Sequence, residues 1–202
     1  MVQQRAAMAY PYKTMLTCHP ETCSASVGEI QARVSWTKDN GLALTYALKG
    51  DLTRLRIPQP QPPHRTDGLW QHTCFEAFIS VKDKPEYYEF NFAPSGQWAA
   101  YRFLRYREGT PFENDIAAPK ITVHNPTVGL DLHAIVYLNS LPTITIRRSA
   151  RFRLALAAVI EEQNGGLSYW ALKHPPGKPD FHHRDAFILD FEAYVDDSND
   201  PS

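Results

Sequence analysis

The chain is short of what several protein classes require. Lys and Arg number 21 against 22 Asp and Glu, a formal net charge of −1, so it lacks the excess positive charge on which non-specific nucleic-acid binding runs. No stretch approaches the ~18 consecutive apolar residues of a membrane helix. The opening MVQQRAAMAYPYKT has no apolar run of about 7–15 residues such as a signal peptide carries. Neither a nucleic-acid nor a membrane partner is expected, and the expected location is cytoplasmic. Cysteine is scarce as well: three residues, an odd number that fits a reducing compartment better than a disulfide framework. Glycines (10) are fewer than prolines (16). There is no G-x-G-x-x-G, no Gly-rich phosphate loop and no G-x-S-x-G. Helical periodicity is nearly missing too.

What the chain has is alternation. Its 202 residues, 43% hydrophobic and 12% aromatic, are enough for one domain that buries roughly 70% of its unfolded surface without disulfides or metal. In Glu29–Thr37 (EIQARVSWT) the apolar residues Ile30, Ala32, Val34 and Trp36 recur every second position, and in Leu42–Leu48 (LALTYAL) Leu42, Leu44, Tyr46 and Leu48 do the same. That is the period of a half-buried strand, and the Asp39-Asn40-Gly41 turn between the runs makes them a hairpin. Residues 51–57 read as a further short strand. The proline-rich 58–68 (PQPQPPHRTDG) cannot lie in a helix or a central strand and reads as a surface loop. Strands are then predicted over His72–Val81, Glu86–Phe92, Gln97–Tyr106, Ile121–Asn125, Gly129–Asn139, Phe152–Glu162, Leu167–His174 and Ala186–Phe191. The expectation is an all-β fold: an antiparallel β-sandwich of immunoglobulin-like or jelly-roll type with about nine to eleven strands, and a closed barrel as the alternative. Residues 1–22 are expected to be an arm or edge strand, 23–192 a single domain, and 193–202 an acidic disordered tail.

Two segments concentrate chemistry: Asp67–Tyr101 and Ser168–Asp185. Between them they hold Trp70, Trp98, Trp170, His72, His174, His182 and His183. In the run EYYEFNF, alternation puts Tyr88, Phe90 and Phe92 on one face and Tyr87, Glu89 and Asn91 on the other. The first face should be core. The second is either a polar groove between aromatic walls, suited to a hydroxyl-rich ligand, or a solvent-facing surface of cross-strand pairs. Glu76 offers a further carboxylate. Glu76 and Glu89 form a conceivable acid/base pair, and Cys74 beside His72 a conceivable nucleophile, but no motif selects either. His72, His174, His182 and His183, with Asp180 or Asp185, could ligate a transition metal, though their spacing matches no standard pattern. Cys18, His19 and Cys23 are too few to close a four-ligand site. Arg147, Arg148, Arg151 and Arg153 form a basic cluster, read as a turn and an exposed strand face able to meet an anion or an acidic partner.

The stretches DGLWQHTCFEAFIS, YYEFNFAPSGQWAAYRF and SYWALKHPPGKPDFHHRDAFIL together resemble the DOMON-like proteins, which are related to the family 9 carbohydrate-binding modules. The resemblance spans about residues 24–192, and the HP…PDFHH ending is similar to that of a bacterial subgroup of small stand-alone proteins. It implies an immunoglobulin-like sandwich that binds sugar or haem and catalyses nothing. The haem branch uses a Met–His axial pair, whereas Met1, Met8 and Met15 all lie in the N-terminal arm; a bis-His haem stays open. The sugar branch uses paired tryptophans and polar groups, here Trp70, Trp98, Trp170, Glu76, Glu89 and Asn91.

The resulting expectation is a non-catalytic module that takes a carbohydrate or similar small polar ligand. Its groove would involve Trp70, His72, Glu76, Tyr87, Glu89, Asn91, Trp98 and Trp170. The loop holding His174, Asp180, His182 and His183 would form a lid. No cofactor is expected. The alternatives are a metal- or haem-binding protein or metalloenzyme centred on the histidines, and a protein-interaction module. The sequence leaves the oligomeric state open.

Overall fold

The computed structural model describes residues 11–39, 41–111, 116–126, 128–144 and 150–193. Met1, Met8, Asn40, Arg147, Arg148 and residues 194–202 of the expected tail lie outside them. Twelve strands run β1 (Tyr12–Cys18), β2 (Val27–Trp36), β3 (Leu42–Gly50), β4 (Cys74–Val81), β5 (Tyr87–Phe92), β6 (Trp98–Arg105), β7 (Glu108–Pro111), β8 (Lys120–His124), β9 (Leu130–Val136), β10 (Arg151–Glu161), β11 (Leu167–Ala171) and β12 (Leu189–Glu192). Every pairing between these strands is antiparallel.

The order β7-β6-β5-β4-β10-β11-β1-β2-β3-β9-β8 folds into two layers, with β12 on the same edge of β10 as β11. The corner is β1: Tyr12–Leu16 pair with β2, while Thr17 and Cys18 pair with β11. A strand that changes sheets is one of the ways a sandwich turns its corner. The path ends at β7 and β8, so the barrel alternative falls.

Alternation decides what lies between the layers. Ile30, Ala32, Val34, Leu44, Tyr46, Leu132 and Ala134 of one sheet meet Phe75, Ala77, Ile79, Tyr88, Phe90, Phe92, Leu154 and Leu156 of the other in one core. Tyr46 shows the closeness of the layers: its ring lies 5.1 Å from that of Phe75, and its hydroxyl donates to the Glu76 carbonyl at 2.7 Å. The predicted aromatic face of β5 is therefore core.

The second sheet is buried on its outer face as well. There Cys74, Phe78, Tyr87, Ala99, Tyr101, Ala155, Ala157, Val159 and Ala171 pack under Leu69, Phe181, Ala186 and Phe187 from the segments before β4 and after β11. All six residues of β5 are buried. The expectation that its second face might look into solvent is thus corrected: two connecting segments roof it. The β5–β6 hairpin that holds this face in register closes through Gly96, whose φ of +92° belongs to the region glycine favours.

Three local expectations change or narrow. Residues 51–57 do not form a strand; Asp51 Oδ1 accepts from the Thr53 amide at 3.1 Å and caps a 3-10 turn over Leu52–Arg54, a side-chain competition that strand pairing loses. Of the arm or edge strand expected over residues 1–22, the described part holds a strand, β1, which pairs first with β2 and then with β11. Cys18 and Cys23 are joined as a disulfide, which the odd cysteine count did not foretell, and Cys74 is the free, buried thiol.

Candidate functional site

On the outer face of the second sheet a pocket of about 360 Å³ opens beneath the loop after β11. Register explains its floor. Glu76 of β4 pairs with Asn91 of β5 and Ala157 of β10, and Glu89 pairs with Phe78 and Tyr101. Both carboxylates therefore point outward from the middle of the sheet. Small neighbours, Ala99, Ala155, Ala157 and Ala171, leave the space above them. Trp70, Tyr101, Phe103, Tyr169, Pro179, Phe181 and His182 line its sides, and Arg107 reaches in from the turn after β6.

Glu76 is 2% exposed and Glu89 5%. Burial first, and then the nearby Glu89 charge, holds the Glu76 carboxyl far above the ordinary carboxylate range. It also accepts from the Cys74 thiol at 3.3 Å. Burial pushes Glu89 up to about 7, against the pull of a hydrogen bond from Asn91 (2.9 Å) and of the Arg107 charge. The two carboxyls share one desolvated space, so Glu76 is the acid that keeps its proton and Glu89 the one that ionises near neutrality. Among the described residues none donates to the buried Asn91 Oδ1.

His182 completes the polar set. Its ring sits among Phe78 (5.1 Å), Tyr87 (6.0 Å) and Phe103 (4.9 Å). Burial in that aromatic box, reinforced by the Arg107 charge, drops it to about 4, so the imidazole is neutral. The Arg107 amide donates to the Tyr87 hydroxyl at 3.2 Å, and that hydroxyl lies 2.9 Å from His182 Nδ1. With Tyr87 as donor to Nδ1, the ring proton sits on Nε2, which faces Glu89 Oε2 at 3.6 Å. The loop is tied down by Asp180, which accepts from Arg107 (2.8 Å) and from the Tyr106 hydroxyl (2.7 Å). Burial alone would raise Asp180, but these two donors hold it below the usual carboxylate range. Arg107 itself has a left-handed backbone, φ 54°, a conformation that costs a non-glycine residue about 1 kcal/mol or more.

The predicted residues divide. Trp70, Glu76, Glu89 and His182 line the pocket, Tyr87 and Asn91 hold His182 and Glu89, and Asp180 anchors the loop. The other five are corrected. Trp98 (8% exposed) and Trp170 (6%) belong to the core between the sheets; each is one residue out of step with an outward-facing neighbour, Ala99 and Ala171. His72 Nδ1 engages Glu161 at 2.8 Å, beside Arg56. His174 bonds the Thr17 carbonyl at 2.8 Å and packs against the His19 ring. His183 accepts from the Asp185 amide and caps the short turn Arg184–Ala186. The four histidines thus have separate hydrogen-bond partners, although His182 and His183 border one neighbouring cavity. Among the described residues no group of three or more His, Cys, Asp or Glu could hold a metal, so the histidine-centred metal alternative loses its ligand set. Tyr101 and Phe103 were missed although alternation from Ala99 puts them on the outer face. Arg107 was missed because a turn residue carries no periodic signal.

Comparison with known proteins adds to this geometry. No family model and no curated protein matches the chain. Among solved structures, a candidate carbohydrate-binding protein from Bacteroides uniformis superposes with a TM-score of 0.61 at 13% identity, over 90% of this chain and 85% of that one. A family 9 carbohydrate-binding module from Caldicellulosiruptor kristjanssonii in complex with cellotriose gives 0.57 at 9% identity (95% and 87% covered). A family 9 module from the same organism in complex with glucose gives 0.54 at 10% (89% and 83%). At these identities the likeness is one of fold: an antiparallel β-sandwich shared with carbohydrate-binding proteins.

Proposed function

We propose that the chain is a non-catalytic, DOMON-like module related to the family 9 carbohydrate-binding modules, and that it holds a sugar in the pocket over Glu76 and Glu89. The observation that carries the reading is the composition of that pocket. Sugar hydroxyls donate and accept at once. The pocket meets them with acceptors (Glu89) and donors (His182 Nε2–H and Arg107), and Glu76 supplies an acid proton. Trp70 stands at the rim, 43% exposed, with its ring 5.6 Å from that of Tyr101 and nearly perpendicular to it. It offers a planar apolar surface for the C–H face of a sugar ring. A volume of about 360 Å³ lies at the small end of ligand pockets and suits one or two rings. Solved neighbours of this fold hold glucose and cellotriose, which favours the same ligand class here.

The test is calorimetric titration of the full chain with glucose, cellobiose and cellotriose, for the wild type and for Glu89→Gln. Saturable binding that weakens about tenfold or more in the variant supports the reading. Binding that the variant leaves untouched overturns it, and so does the absence of binding both to these three and to the acidic sugars glucuronate and glucose 6-phosphate.

A further inference from the structure

His182 lines two cavities. With Tyr87 it also borders a second space of about 920 Å³. The lining there differs in kind. Lys82, Lys84, Arg105, Arg153 and Arg184 face it, against Asp83 and Asp190, in a chain whose net charge is −1. Arg105 is neutralised by Glu108. Lys82 and Arg153 share one carboxylate, Asp190, at 3.8 and 3.7 Å, beyond hydrogen-bond reach. Lys84 and Arg184 have no ion pair among the described residues. Arg153 is the described inward end of the arginine cluster that the sequence singles out. Both non-glycine residues with a left-handed backbone among the described residues, Asp83 (φ 65°) and Arg107 (φ 54°), lie at these two cavities, one at each.

We propose that this basic groove is an anion subsite, and that the ligand of the protein is an acidic sugar whose ring occupies the first pocket while its carboxylate or phosphate lies between Lys84 and Arg184. The inference rests on the sugar reading of the first pocket and names the substrate class for it. The arrangement sets orientation as well as attraction. Glu89, which ionises near neutrality, repels an anion from the first pocket, and the groove attracts it with charge-assisted hydrogen bonds, bidentate where Arg184 takes part. A neutral sugar gains nothing from the groove.

The test is titration of the full chain at low and at physiological salt with four probes: glucose, glucuronate, glucose 6-phosphate and inorganic phosphate. The expected result is that at least one acidic sugar binds ten times or more tighter than glucose, that the advantage shrinks with added salt, and that it falls to about one in the Lys84→Gln/Arg184→Gln variant. Both residues are exposed, and circular dichroism confirms that the variant is folded. The glucuronate and glucose 6-phosphate arms separate a carboxylate source from a phosphate one. Acidic sugars that bind no tighter than glucose, or an advantage that survives the double variant, overturn the inference and leave the sugar pocket standing. Inorganic phosphate that binds and is lost in the variant, with no sugar of any charge bound, overturns the sugar reading and upholds the groove as an anion site. No binding by any probe overturns both.

Discussion

The Tyr87 hydroxyl and His182 Nδ1 meet at 2.9 Å across 95 residues of sequence. This contact joins the two segments in which the chain concentrates its polar and aromatic chemistry, and it sets which nitrogen of His182 faces Glu89. Tyr87→Phe removes one hydroxyl and leaves two groups, His182 Nδ1 and the Arg107 amide, without their partner. Leaving buried polar groups unpaired costs about 1–3 kcal/mol. The expected outcome is a loss of that size in urea unfolding, accompanied by weaker sugar binding because His182 is free to turn. A variant with unchanged ligand affinity would show that His182 orientation plays no part in the site.

The tryptophans separate by role. Trp70 is 43% exposed and Trp98 8%. Trp98→Ala opens a void in the core between the sheets and should cost about 3–5 kcal/mol. Trp70→Ala should cost under about 1 kcal/mol and instead weaken sugar binding by an order of magnitude. Denaturant midpoints and titrations on the two variants check both halves; a Trp70 variant with full affinity would remove the tryptophan from the site.

Asp180 ties the loop after β11 to the turn after β6 through Arg107 and Tyr106, and accepts from the His182 amide at 3.2 Å. Asp180→Ala should cost little overall stability, since half-exposed ion pairs contribute about 0–1 kcal/mol. Its effect should be local: faster amide exchange over residues 178–183, unchanged exchange in β4, β5 and β10, and weaker sugar binding. Uniform exchange between variant and wild type would mean that the apolar contacts of Phe181 alone hold the loop.

How far this site could be read from sequence depends on which forces are local. The faces of β5 follow from period-2 alternation, a property of neighbouring residues, so Glu89 and Asn91 were legible as one polar face and Phe90 and Phe92 as core, whereas the register that sets Glu76 of β4 beside them is not a local property. The same rule would have turned Trp98 and Trp170 inward; they were chosen for residue type, and register overrides type. That the polar face is roofed was not legible, because the segments around Leu69 and Phe181 have no periodicity and their docking depends on contacts between distant parts of the chain. Histidine spacing misled for a related reason. His72, His174 and His183 satisfy partners on different elements, Glu161, the Thr17 carbonyl and the Asp185 amide, none of which spacing reveals. Arg107 gave no signal, since its role follows from a left-handed turn.

The opposed shifts of Glu89 and His182 lead to a prediction in which the sign identifies the group. Glu89, at about 7 in the fold, lies above its ordinary 4.5. Folding therefore favours its protonated form, and that contribution is complete below about pH 4.5 and lost as pH rises through 7. Glu76, also raised, acts in the same sense. His182, at about 4, lies below its ordinary 6.5. Folding favours its neutral form, and that contribution is complete above about pH 6.5 and lost as pH falls through 4. Between pH 4.5 and 6.5 the carboxyls thus make the fold less stable with rising pH, and the imidazole makes it more stable. Each group contributes a slope of at most about 1.4 kcal/mol per pH unit. His182→Gln removes the compensating slope, so stability relative to wild type should fall as pH rises across this window. Glu89→Gln removes the opposite slope and should produce the reverse trend. Urea unfolding of the three proteins at pH 4.5, 5.5 and 6.5 checks this, and ordinary surface carboxylates cancel because they are common to all three. Parallel profiles would mean that neither group is held in the desolvated pocket.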